Sequence, residues 1–184
     1  MKKSKFKNIY SLFFLLFFIS SCTSNLDFDQ ANDLKTTPVI VANVAYFDVP
    51  ANEFVTNGIE NRVSIDARNF DVFRDAFLRD NLTQADFLFE ITNTINRSFT
   101  VNLYLINEFD QILYTIIINV PASTTGAPVV VTTTEVFKDA KLNLLKQTDK
   151  MGFILIMNSG TTITESTPGD LKFKSSATVY LEVQ

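Results

Sequence analysis

No histidine and no tryptophan occur among the 184 residues, cysteine occurs once, and glycine and proline occur five times each. Without histidine the chain lacks the side chain best suited to moving protons near neutrality and the commonest transition-metal ligand. A Ser-His-Asp arrangement cannot be assembled. The lone cysteine, Cys22, excludes an intramolecular disulfide, so stability must come from apolar packing. No Gly-x-Gly-x-x-Gly or Gly-x4-Gly-Lys-Ser/Thr run exists to cradle phosphates. The missing tryptophan removes the largest flat platform for a sugar ring and leaves Tyr46, Tyr104, Tyr114 and Tyr180. Carboxylates remain, and two set about 5–9 Å apart can hydrolyse a glycoside. Asp48, Asp66, Asp71 and Glu90 are available for that work, but nothing in the sequence brings two of them across a cleft. The expectation is a protein that is not an enzyme and needs neither cofactor nor metal.

What the sequence does hold is concentrated first at its start. Lys2, Lys3, Lys5 and Lys7 precede the apolar run from Ser11 to Ile19, which is followed by Ser20, Ser21 and Cys22. A positive start, a short apolar core and small residues before a cleavage point are the parts of a secretory signal. Nine residues are too few to cross a bilayer as a helix, which takes about 20. With cysteine directly after the small residues, Ile19-Ser20-Ser21-Cys22 resembles the lipobox of bacterial lipoproteins. That resemblance covers the first 22 residues. It implies a diacylglyceryl group on the Cys22 thiol, cleavage between Ser21 and Cys22, and acylation of the new amino group. The acyl chains would then hold the protein in a bilayer, each buried CH₂ contributing ~0.8 kcal/mol. Thr23, rather than aspartate, follows the cysteine, which by the same resemblance implies sorting to the outer membrane, on its periplasmic or its cell-surface face.

Cleavage there removes four lysines and no acids, taking the formal net charge from −4 to −8. That charge argues against a nucleic-acid partner and against electrostatic attraction to an anionic membrane. Residues 22–37 read as the modified cysteine and a polar tether; 15 residues at ~3.5 Å each reach ~50 Å when extended. Asp27, Asp29 and Asp33 lack the glycine and terminal glutamate of a calcium loop, so they read as solvated linker.

Residues 38–184 read as one domain built from two pseudo-repeats, 38–106 and 111–184. Val49-Pro50-Ala51 returns as Val120-Pro121-Ala122, and Val72-Phe73-Arg74-Asp75-Ala76 as Val136-Phe137-Lys138-Asp139-Ala140. The run starting at Phe87 corresponds loosely to that starting at Phe153, and the run starting at Ser98 to that starting at Ser176. Four matches in the same order point to tandem duplication.

Alternation predicts strands with Phe87, Phe89 and Ile91 on one face, likewise Phe99, Val101, Leu103 and Leu105, and likewise Ala177, Val179, Leu181 and Val183. Ile116-Ile117-Ile118 and Val129-Val130-Val131 are apolar on both faces, as expected of strands deep in a two-layer core. Asn57-Gly58 predicts a tight hairpin, and Glu108-Phe109-Asp110 the turn joining the halves. Two helices are predicted, over 70–81 and 135–147. Val136, Phe137, Ala140 and Leu144 share one face of the second, with Thr134 as its cap and Glu135 in its first turn. Val72, Phe73, Ala76 and Phe77 make the matching stripe of the first. The Arg/Lys and Asp shared by these helices read as solvated charges.

The expected fold is mainly β: a β-sandwich of about eight strands with two short helices, in the order strand, strand, helix, strand, strand, twice over. An open α+β sheet is the alternative. For function, the expectation is a lipid-anchored accessory or interaction subunit of an envelope assembly, with a protein partner in the outer membrane. The segment 159–175, long and polar where the first half has only residues 94–97, is the expected recognition loop. Binding of a surface glycan or small ligand is the alternative. Tyr104 and Tyr180, at matching places in the final strands of the halves, are its candidate platform.

Overall fold

The computed structural model describes residues 35–69 and 75–183, with the side chains of 64–69 outside that description. The sequence's expectations for 1–34, including Ser21 and Cys22, and for 70–74, including Asp71, lie outside the described residues. Residues 36–183 form one body. It begins slightly before the expected boundary, because Thr36 bridges Val183 in antiparallel fashion.

The elements run β1 (Val39–Pro50), β2 (Val55–Thr56), β3 (Ile59–Glu60), β4 (Val63–Asn69), α1 (Ala76–Asn81), β5 (Leu82–Asn93), β6 (Phe99–Ile106), β7 (Ile112–Val120), β8 (Val129–Lys138), α2 (Ala140–Lys146), β9 (Lys150–Met157) and β10 (Asp170–Leu181). Eight of the strands form two four-stranded sheets, in the orders β1-β10-β5-β8 and β4-β9-β6-β7. All their pairings are antiparallel. Among these eight, only β6 and β7 are successive partners in one sheet; every other connection crosses to the opposite sheet. This is the connectivity of a jelly roll. Replacing β1, β4, β5, β6 by β7, β8, β9, β10, and the reverse, turns the order of one sheet into that of the other. The ladders depart from the sequence match, most clearly between β6 and β10. Ala177 faces Phe87, whereas Leu103, not Phe99, faces Phe153. The run from Ser176 is therefore matched four residues out of place, an even slip that keeps the same residues facing inward.

The inward faces are apolar as the alternation requires. Phe87, Phe89, Ile91, Phe99, Val101, Leu103 and Leu105 are buried, and across the core Phe153, Leu155, Leu171 and Phe173 meet them. Phe47 stacks on Phe173 with ring centres 4.8 Å apart, and the ring of Phe153 meets Phe173 edge-on at 5.0 Å. These rings join the two sheets where a disulfide could have done so.

The two apolar triplets are not deep. β7 and β8 are edge strands, and Ile117 and Val130 point outward, 62 % and 56 % exposed. The sequence alone could not tell an edge strand from a central one, since both are β-branched runs.

The helices are shorter than expected. Residues 135–138 belong to β8, where the β-branched Thr132, Thr133, Thr134 and Val136 stay paired with β5 up to Lys138 opposite Gln84. Sheet pairing overrides the helical spacing there. Thr134 caps nothing; Asp139, at φ 52°, occupies the position before α2. Leu142 and Leu145 then bury the face of α2. In α1 the Asp75 carboxylate caps the backbone N–H of Leu78 at 3.1 Å. No residue of that short helix is fully buried, and Phe77 is 55 % exposed. Asn57 and Gly58, at φ 53° and 75°, make the hairpin between β2 and β3, and Asp110, at φ 58°, sits in the turn between β6 and β7. Among the described residues no helix is long and apolar enough to cross a membrane.

Candidate interaction surfaces

One end of the sandwich is built from four connections: residues 51–62, 94–98, 121–128 and 158–169. They are knit together by polar groups drawn out of water. Arg97 is 7 % exposed. Its Nη2 donates to Glu60 Oε2 at 3.0 Å, and its Nε and Nη1 donate to the carbonyls of Asn158 and Thr161. The other oxygen of Glu60 accepts the backbone N–H of Ile163 at 2.9 Å, and the Ile163 side chain is buried beneath it. One arginine and one glutamate thus fasten the 158–169 loop to the β2–β3 hairpin.

Asn93, fully buried, extends the network. Its Nδ2 donates to the carbonyls of Arg97 and Pro121, at 2.8 and 2.7 Å, and its Oδ1 accepts the N–H of Ile95 at 2.9 Å. The Thr94 hydroxyl accepts the N–H of Asp170 at 2.7 Å. Gly169, at φ +106°, passes so close that a Cβ there would lie 2.8 Å from the carbonyl oxygen of Thr94. The recognition loop expected over 159–175 is therefore shorter, because β10 starts at Asp170, and it is held rather than loose. What it offers outward is a polar strip. Thr162, Thr164, Glu165 and Ser166, with Val55 and Gly58, line a shallow depression of about 510 Å³.

A second surface is the outward face of the β1-β10-β5-β8 sheet. Asp48 and Glu90 both lie on it, but each is matched by a lysine of β10. Lys172 bridges Asp48 at 3.1 Å and Asp170 at 3.0 Å, and Lys174 meets Glu90 at 3.4 Å. Hydrogen bonds donated by Lys172 to Asp170 and then to Asp48 hold its pKa well above the ordinary lysine value. Asp66 belongs to β4, in the other sheet. Among the described residues, the structure therefore does not gather Asp48, Asp66 and Glu90 into one place. Among the described residues no three acidic or cysteine side chains converge as a metal site.

The tyrosine pair is also separated. Tyr104 lies on the outward face of β6 and Tyr180 on that of β10, in opposite sheets, and both are half-buried. The Tyr104 hydroxyl accepts from Asn102 Nδ2 at 3.1 Å. Partial desolvation and then the Asp86 carboxylate raise the Tyr180 phenol above its usual pKa. One platform made of both is excluded. The open tyrosine among the described residues is Tyr46, 58 % exposed, where β1 bulges between Asn43 and Ala45. With Asn43, Lys174 and Ser175 it lines a groove of about 580 Å³.

Arg97, Glu60 and Asn93 are the residues that sequence reading missed. Their one local signal is the polar cluster Asn93-Thr94 to Arg97-Ser98 closing a strongly apolar strand; nothing local ties it to Glu60.

No family model matches the chain, and no curated protein does. Solved structures similar to it include the VP2 subviral particle of infectious bursal disease virus, at 13 % identity and a TM-score of 0.44, covering 81 % of this chain and 33 % of that one. An assumed secreted protein of Parabacteroides distasonis is 10 % identical, with a TM-score of 0.44 and coverage of 65 % and 36 %. Desmodium yellow mottle tymovirus is 11 % identical, with a TM-score of 0.30 and coverage of 81 % and 90 %. The chain spans about a third of the length of the first of these.

Proposed function

We propose that this chain is a lipid-anchored accessory protein of a bacterial cell envelope, fixed to the outer membrane through Cys22. It presents the clasped loop end of its jelly roll to a protein partner, and it carries out no chemistry itself. The observation that carries this reading is the placement of the two ends of the body. Thr36, where the tether joins, bridges Val183 beyond the finish of β10, whereas the 158–169 loop leads into the start of the same strand. Twelve strand residues lie between them, and their eleven steps of ~3.3 Å separate the ends by ~36 Å. A body anchored through one end leaves the other free to meet whatever lies beyond the lipid. The rigid, polar, threonine-rich strip there suits a docking role, since little ordering entropy is lost on binding.

The reading is tested by placing a photo-crosslinking side chain at Thr124, at Thr164, or at Asn143 as a control on α2, in cells making the full chain. A discrete crosslinked species from Thr124 and Thr164, absent from Asn143, is expected. Equal crosslinking from all three, or none from the loops, refutes the loop end as the docking site. A second reading, glycan binding, is supported by the open ring of Tyr46 beside its groove. Calorimetric titration with a polysaccharide panel distinguishes it: binding that Tyr46→Ala abolishes would favour the glycan.

A further inference from the structure

The end of the body opposite the loops carries apolar side chains in water. Phe109 is 73 % exposed, Ile112 58 % and Phe77 55 %. Phe109 is not on a loose tip. Asn107 Oδ1 accepts the backbone N–H groups of Phe109 and Gln111 at 3.0 and 2.9 Å. The N–H of Asn107 donates to the Gln111 carbonyl at 3.0 Å, and that of Asp110 to the Asn107 carbonyl at 3.1 Å. Lys150 Nζ reaches Asp110 Oδ1 at 2.7 Å. These polar contacts hold the turn that carries the exposed ring, with Arg79 and Lys146 lining the hollow of about 370 Å³ beside it. Burial would satisfy that ring, which is the most exposed large apolar side chain among the described residues.

We infer that this end is a bilayer-contact face, with Phe109 seated among the lipid headgroups and upper acyl chains. The inference rests on the lipid-anchor reading, because the chain between Cys22 and Thr36 joins the body at this same end. Fourteen residues at ~3.5 Å each reach ~50 Å, so the anchor keeps the face within touching distance of the lipid. The tether makes the contact intramolecular, and a ring too weak to recruit a free protein becomes sufficient to orient an anchored one. The acidic residues Glu108 and Asp149 share the hollow with the two cations, so the contact is apolar rather than electrostatic and needs no anionic lipid. Docking the face to the membrane directs the 158–169 loop outward.

The test uses the absence of tryptophan from the native chain, which makes a single introduced indole the only one. Full-length protein carrying Phe109→Trp is made in cells, purified from membranes and reconstituted in phosphatidylcholine vesicles with brominated upper acyl carbons. Seating at the headgroup–acyl boundary, ~5–10 Å deep, should quench the indole of this variant about twofold relative to unbrominated vesicles, unchanged by high salt. A second full-length variant, carrying Thr164→Trp instead, should show no quenching. An F109W indole that is unquenched, or quenched no more than that of T164W, overturns the inference; the same outcome is expected if this face binds a protein instead. Labelling of the protein by an alkyne fatty acid in cells, lost in Cys22→Ser, is scored separately. Its failure removes the lipid anchor, while the quenching still reports on whether this end meets the bilayer.

Discussion

Arg97 shows how a single residue can set the shape of a surface. Burying a guanidinium costs free energy unless its donors find acceptors, and here Glu60 and two loop carbonyls supply them. Arg97→Met would strand the Glu60 carboxylate and the loop carbonyls together. A buried pair broken from one side costs about 3–5 kcal/mol, and the partial exposure of Glu60 brings that to about 2–3 kcal/mol. Urea denaturation should show this loss, and hydrogen exchange should show the amide of Ile163 losing protection. A stability within error of the parent would mean the clasp contributes nothing. Gly169 makes a second prediction at this scale. Its φ is +106°, and an added methyl would lie only 2.8 Å from the carbonyl oxygen of Thr94. Gly169→Ala should therefore cost about 2 kcal/mol or more in the same denaturation experiment, by strain and collision together.

At the scale of elements, the core carries what a disulfide does elsewhere. Phe173 is fully buried in β10 and touches the rings of Phe47, Phe89 and Phe153, so Phe173→Ala should cost about 3–5 kcal/mol, again read by urea. Strands with clean alternation, β5, β6 and β10, are legible in the sequence because one face is core and the other is water. The hairpin at Asn57-Gly58 is legible for a different reason: positive φ at two adjacent positions selects those residues. The second helix is misjudged because Val136 and Phe137 fit helical spacing and strand alternation equally over so short a run. Pairing with β5, far away in sequence, decides between them. The interaction surfaces are the least legible. The outer position of Tyr104 and Tyr180 can be inferred from alternation, but their separation onto different sheets follows from the jelly-roll crossing. No local pattern announces that Arg97 meets Glu60. Edge position is likewise hidden, and it has a consequence. Val39, Ile40 and Val41 are exposed at the start of edge strand β1, an uncharged β-branched run of the kind that templates aggregation. Val41→Lys should change stability by less than about 0.5 kcal/mol, while raising the concentration at which the protein remains monodisperse in light scattering. Earlier aggregation would count against this edge as the weak point.

At the scale of the whole molecule, the sandwich has two differently dressed ends. One carries Thr36, near the start of the described body, and an exposed phenylalanine. The other carries a polar strip held by a buried arginine. Neither dressing belongs to the buried core of the described residues, which contains none of Phe109, Thr162 and Thr164. Both suit the proposal of a body that stands on a lipid surface and is met from the far side. That arrangement depends on the thiol of Cys22, and the intact mass of the protein purified from its native membranes tests it most directly. A chain that starts at Cys22 and carries acyl groups, with both features lost in Cys22→Ser, is the expected result. A chain that keeps residues 1–21 and bears no fatty acid would contradict the proposed anchor and, with it, the orientation of both ends.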